Sequence, residues 1–137
     1  MKGVEKIYKG KKLIAIIFRN YIKVDGLNFF TENDNFFQIG AHNRKKGLKL
    51  KPHIHNVEEP LIINKVQEWI LVQEGKIRVT LYTKKGDVII KKILSRGDSI
   101  LLIDEGHGVD FVEDSKLFEI KQGPFPKDGI NAKIFFN

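Results

Sequence analysis

Short apolar runs rich in Ile, Val, Phe, Tyr and Thr recur along the chain, separated by Gly, Asp, Asn or Lys. Runs of this length and punctuation predict strands of an all-β sandwich or barrel. They fall at Leu13 to Phe18, Tyr21 to Val24, Phe36 to Ile39, Leu48 to His55, Glu68 to Gln73, Lys76 to Thr83, Val88 to Leu94, Ser99 to Ile103, Val109 to Val112, Leu117 to Lys121 and Ala132 to Phe136. Alternation is clearest after Gly75, where Ile77, Val79 and Leu81 share one face, opposite Arg78, Thr80 and Tyr82. Glycine marks the reversals Glu74-Gly75-Lys76, Lys85-Gly86-Asp87 and Arg96-Gly97-Asp98, because tight hairpins need positive φ. The stretch Leu61 to Glu74 lacks Gly and Pro and admits a helical reading, but Ile62, Ile63, Val66, Ile70 and Val72 favour strands.

A chain of 137 residues fits one domain and can bury a core without a disulfide or metal to hold it. With 42% hydrophobic and 30% charged residues, it is expected to be folded rather than disordered. The absence of cysteine excludes disulfides, thiolate metal sites and cysteine nucleophiles, and suits a reducing cytoplasm. The apolar run Leu13 to Phe18 is too short to cross a bilayer and no small-residue cleavage site follows it. The expectation is a soluble cytoplasmic protein with no membrane partner. Residues 1–35 read as an N-terminal arm that packs on the barrel or on a partner subunit, and residues 36–137 as the barrel itself.

The formal net charge of +7 favours an anionic partner in principle. The lysines are spread out, however, and the pairs Lys11-Lys12, Lys45-Lys46 and Lys84-Lys85 fall near expected turns. Surface lysines of that kind keep strand edges from pairing with neighbours. A nucleic-acid surface is a denser stripe with interleaved aromatics, so no nucleic-acid partner is expected.

Candidate chemistry centres on three of the four histidines and one glutamate. In Pro52-His53-Ile54-His55, residues two apart on a strand face the same way, so both imidazoles can reach one point. Glu68 shares its strand face with Ile70 and Val72, where a carboxylate is costly unless something neutralises it. His107 follows the turn Asp104-Glu105-Gly106 at the entrance to another strand. Imidazole suits zinc, copper, iron and nickel, and a carboxylate extends the range toward manganese. Glu119 and Lys121 share one strand face, as do Arg78 and Tyr82, and both pairs are candidate ligand-binding residues of a pocket mouth. Trp69 points opposite to Glu68 and, with Leu71, forms an outer packing or dimer surface. A homodimer is therefore expected. His42 lies outside these patterns and reads as a surface or structural residue.

Gly47, His53, His55, Glu68 and Gly75 together resemble the first sequence motif of the cupin superfamily, and Gly97-Asp98 through His107 resembles its second. The resemblance implies an all-β, cupin-type double-stranded β-helix, or jelly-roll barrel, holding a divalent metal (zinc, iron, manganese or nickel). Carried over residue by residue, the ligands would be His53, His55, Glu68 and His107. Twelve residues separate His55 from Glu68, a longer gap than the family's usual one. Either a loop is inserted, or Glu58 or Glu59 takes the ligand place; the spacing from Glu68 to Gly75 favours Glu68. The second motif lacks its usual proline and asparagine and is about one residue short before His107. The run Glu113 to Phe125 is similar to small single-domain cupins linked with surface-sugar biosynthesis.

The implied function is metal-dependent binding of, or action on, a small polar ligand such as a carbohydrate derivative. Isomerisation or epimerisation at a sugar carbonyl and oxygenation are the reactions in view. The rivals are a metal-free isomerase with His53 or His107 as base, and a non-enzymatic ligand-binding module.

Overall fold

In the computed structural model, which describes residues 1–55 and 64–123, every regular element among those residues is a β-strand. No helix there is long and apolar enough to cross a membrane. The chain divides into two compact units, Met1–Ile22 with Lys65–Asn137, and Lys23–Asn64.

The larger unit contains β1 (Val4–Lys9), β2 (Lys12–Phe18), β5 (Glu68–Glu74), β6 (Lys76–Tyr82), β7 (Val88–Ser95), β8 (Ser99–Leu102), β9 (Gly106–Phe111) and β10 (Lys116–Lys121). These strands form an antiparallel five-stranded sheet, β1-β2-β8-β5-β10, and an antiparallel three-stranded sheet, β7-β6-β9. Neither sheet closes on itself into a barrel among the described residues. The smaller unit contains the antiparallel pair β3 (Gly26–Phe29) and β4 (Gly40–Asn43).

One core joins the two sheets of the larger unit. The five-stranded sheet contributes Ala15, Ile17, Ile70, Val72, Ile100 and Leu102, and the three-stranded sheet contributes Ile77, Val79, Leu81 and Leu94. The alternation read after Gly75 is the cause: odd positions of β6 face the core, while Arg78 is exposed on the other side. The β2 strand is buried on both faces. Ala15 and Ile17 point to the core, whereas Ile16 and Phe18 lie on the opposite face and are buried as well. On that outer face Ile16, Leu101, Trp69 and Ile120 stand side by side on neighbouring strands. Burial is complete at Ile16 and Leu101 and is lost at the edge strand β10, where Phe118 and Ile120 are exposed.

The turn from β7 to β8 carries the chain from one sheet to the other, and Asp98 holds it. Its carboxylate accepts from Ser95 N at 3.0 Å, Asn20 N at 2.9 Å and Arg19 Nη1 at 3.0 Å. Its carbonyl accepts from Val72 N at 3.0 Å, and Gly97 N donates to Val72 O at 2.7 Å. Gly75 forms the turn between β5 and β6 at φ 80°. A Cβ there would run into the carbonyl oxygen of Asp114 and the hydroxyl of Ser115.

Several expected strands differ. Leu48 to His55 is not a strand: Pro52 removes a ladder donor, and Leu48, Leu50 and Ile54 are exposed rather than packed. Tyr21 to Val24 begins in a turn, with Ile22 N donating to Arg19 O. Phe36 to Ile39 is a loop in which the Gln38 amide donates to the carbonyls of Glu32 and Asn35, and the strand starts at Gly40 instead. The β1 and β3 strands carry too few apolar positions to have been read as strands, and β1 buries just Ile7. The expected strand Ala132 to Phe136 lies outside the described residues, as do Glu58 and Glu59.

Asp98→Ala, which leaves Arg19 and two backbone donors without their acceptor, is expected to destabilise the fold by about 3 kcal/mol. Gly75→Ala should cost about 2–3 kcal/mol through strain and collision. Urea unfolding followed by tryptophan fluorescence measures both.

Candidate functional site

Glu68 opens β5, and its alternation with Ile70 and Val72 points its carboxylate into the space between the sheets. Across that space, β9 sets His107 beside Leu81 of β6, in the same row as Val109 and Val79. The pairing registers therefore bring two residues far apart in sequence face to face, with Nε2 of His107 3.7 Å from Oε2 of Glu68. The Glu68 side chain is 13% exposed and that of His107 33%, so the pair sits at the wet end of the core.

The edge strand β10 completes this end. Lys121 lies opposite Glu68 and Glu119 opposite Ile70, so both side chains share the inner face. The Lys121 ammonium lies 2.6 Å from Oε1 of Glu119. This hydrogen bond, and the charges of Glu119 and Glu68, raise the Lys121 pKa against the opposing effect of burial. Two carboxylates, one imidazole and one ammonium thus gather at one rim of an otherwise apolar interior. Hydroxyl and carbonyl groups of a polar ligand would find donors in Lys121 and His107 and acceptors in Glu68 and Glu119.

Arg78 and Tyr82 lie on the other face of β6. Arg78 forms an exposed ion pair with Asp110, Nε to Oδ2 at 3.1 Å, and the Tyr82 ring lies beside Gly108. They are not brought to the Glu68–His107 rim.

His53 and His55 belong to the smaller unit and are exposed. They come together without a strand: their ring centres are 5.1 Å apart in an edge-on arrangement. Nδ1 of His53 lies 2.8 Å from the carbonyl oxygen of Lys51. A carbonyl can only accept, so Nδ1 carries the proton and Nε2 keeps its lone pair. That backbone contact is the support usual for a metal-binding imidazole.

Two donors each about 2.1 Å from one metal can stand at most about 4.2 Å apart, and the 3.7 Å between Nε2 of His107 and Oε2 of Glu68 lies within that limit. Among the described residues, no three His, Asp or Glu side chains converge as a ligand group.

Sequence reasoning missed the Asp98 clamp and the carboxylates of Asp104 and Glu105 as organisers of the larger unit. A signal was present in their clustering with Gly at the turns, but their partners lie on strands distant in sequence. No family model, curated protein or solved structure matches the chain.

Residues kept for ligand chemistry are often suboptimal for stability. Glu68→Met extends the apolar inner face of β5 while leaving Lys121 paired with Glu119. It is expected to raise stability by about 1 kcal/mol, equivalent to a few degrees in Tm. Differential scanning calorimetry measures it, and a fall of similar size would mark Glu68 as a structural ion-pair residue instead.

Proposed function

We propose that this chain is a cupin-like protein that binds a small polar ligand at the Glu68–His107 rim and holds a divalent metal there. The observation that carries the reading is the approach of Glu68 and His107 from facing sheets, at the two positions where the cupin motifs put ligands. The path of the strands supports the fold part. From β5 to β6, β7 to β8, β8 to β9 and β9 to β10 the chain crosses between sheets each time, with β5 seated between β8 and β10, and β6 between β7 and β9. A jelly roll is wound in this way. Among the described residues β9 and β10 end their sheets, and closing a barrel there would need a further strand on each.

The motif resemblance also implies His53 and His55 as donors, and Nδ1 of His53 lies 2.8 Å from the Lys51 carbonyl oxygen. A bound divalent ion would supply Lewis-acid polarisation of a ligand carbonyl or hydroxyl. The chain's own groups do the rest. Lys121 donates to an anionic or hydroxyl oxygen and is held charged by Glu119. Glu119 accepts from a hydroxyl, and the apolar wall of Ile70, Leu81 and Val109 limits water at the rim. The ligand class in view is a carbohydrate derivative, and the reaction class isomerisation or epimerisation next to a carbonyl.

One observation favours a metal-free variant of this reading. Lys121 already stands beside Glu68 and compensates part of its charge. In that variant Glu68 orients His107, which moves the proton as general base.

Metal analysis of the purified protein separates the two. The metal reading expects one equivalent of divalent ion in the wild-type protein and loss of at least about 90% of it in both His53→Ala and Glu68→Ala, since each ligand contributes strongly to affinity. Full retention in both variants would overturn this ligand set. No metal even after reconstitution would leave the acid–base variant standing.

A further inference from the structure

The β8–β9 turn carries two carboxylates that the Glu68–His107 rim does not use. The side chains of Asp104 and Glu105 are only 7% and 4% exposed. Four lysines from three other places in the larger unit converge on them: Lys9 and Lys12 flank the β1–β2 turn, Lys65 precedes β5, and Lys84 lies in the β6–β7 turn. Oδ2 of Asp104 is 2.7 Å from Lys12 Nζ and 3.1 Å from Lys65 Nζ, and Oδ1 is 3.6 Å from Lys84 Nζ. Oε2 of Glu105 is 3.0 Å from Lys9 Nζ, and Oε1 is 3.5 Å from Lys12 Nζ. Backbone donors add to the cradle, Glu105 N to Asp104 at 2.7 Å and Lys84 N to Glu105 at 2.9 Å. Glu105 is the one non-glycine residue with positive φ among those described, at 71°, a conformation that persists only where surrounding bonds enforce it.

Both carboxylates are ionised at neutral pH. Burial alone would raise the pKa of Asp104, but hydrogen bonds from Lys12, Glu105 N and Lys65 hold it far below the usual carboxylate range. Glu105 is lowered chiefly by the hydrogen bond from Lys9. Among the described residues, two negative charges therefore face four positive ones, which leaves two in excess. The arrangement is also layered. The carboxylates lie inside, while the lysine side chains are between 42% and 70% exposed. Each ammonium has three donors; those of Lys9, Lys12 and Lys65 direct one or two inward, while Lys84 makes a longer ion pair at 3.6 Å. Ammonium groups that share two carboxylates repel one another, and the two acids do not offset that repulsion. An external anion with several oxygens would.

We propose that this lysine cluster is a binding site for the phosphate group of a small molecule, held by outward-facing donors of Lys9, Lys12, Lys65 and Lys84 over the buried Asp104–Glu105 base. Two excess charges and several convergent donors match a dianion with three or four oxygens better than a single carboxylate. The site is a focus rather than a track, and no aromatic side chain among its members offers a stacking face for a base. Those features favour a small phosphorylated ligand over a nucleic-acid strand. The inference stands on residues separate from the proposed metal ligands and does not depend on them.

The test is calorimetric titration of the full chain with inorganic phosphate and with pyrophosphate at low salt, using wild type, Lys84→Gln, Lys9→Gln and, as a control in the smaller unit, Lys46→Gln. Lys84 is the most exposed member with the longest contact, so its replacement should leave Tm within a degree or so of wild type. The expected result is saturable one-to-one binding, tighter for pyrophosphate. It should be weakened about tenfold by Lys84→Gln and by Lys9→Gln, and unchanged by Lys46→Gln. Absence of saturable binding overturns the proposal. So does equal weakening in the control, which would mean diffuse charge, or displacement of pyrophosphate by a single-stranded oligonucleotide at a lower phosphate concentration.

Discussion

The Asp98 carboxylate is the joint on which the larger unit turns. It fixes the reversal from β7 to β8 by accepting from Ser95, and it ties that reversal to the end of β2 through Asn20 and Arg19. Arg19 is anchored in turn by the carbonyl of Ile93 and the carboxylate of Glu5, which Lys92 also reaches. A single acidic side chain thereby connects both sheets. The consequence passes along the ladder of paired strands. With its entry fixed, β8 sets Leu102 between Ala15 on one side and Glu68 on the other. The position of Glu68 opposite His107 is thus the far end of a chain of constraints that starts at Asp98.

The same device recurs at the other end of β8. There Asp104 and Glu105 collect donors from two turns and from the segment before β5, as Asp98 collects them at the near end. In a chain with 24 lysines and arginines against 17 acids, acids placed at the turns draw cations from distant segments and hold the turns in register. The two ends differ in balance. Around Asp98 the guanidinium of Arg19 and the backbone donors match the acceptors, whereas around Asp104 and Glu105 cations are left over.

What the sequence disclosed follows from how local each cause is. Strands that alternate into the core, such as β6 with Ile77, Val79 and Leu81, were legible because burial depends on a two-residue period. Glu68 stood out for the same reason, as a carboxylate in an apolar row. The His53–Ile54–His55 stretch was misread as a strand because a strand also needs a partner, which periodicity does not reveal. The β1 strand stayed hidden because an edge strand needs few apolar residues, and its charges at Glu5, Lys6 and Lys9 read as loop. Lys84 read as a guard against edge pairing because its partners lie at residues 104 and 105, and no local pattern reports a contact across that distance. Of the jelly-roll barrel that the motif resemblance implies, the described residues show the all-β class and the antiparallel sheets, none of them closed into a barrel.

The double burial of β2 bears on the order in which the protein can assemble. Its inner neighbour β8 is translated only after β5, β6 and β7, yet Ile16 and Ile17 are among the most completely buried side chains of the fold. Pairing so distant in sequence closes a large loop and slows folding. Through that interval the nascent run Leu13 to Phe18 is an uncharged, β-prone segment of the kind that nucleates aggregation. Lys11, Lys12 and Arg19 bracket it. Basic flanks of this kind serve as gatekeepers against association of like segments, and in the folded chain Arg19 pairs with Asp98 and Lys12 with Asp104.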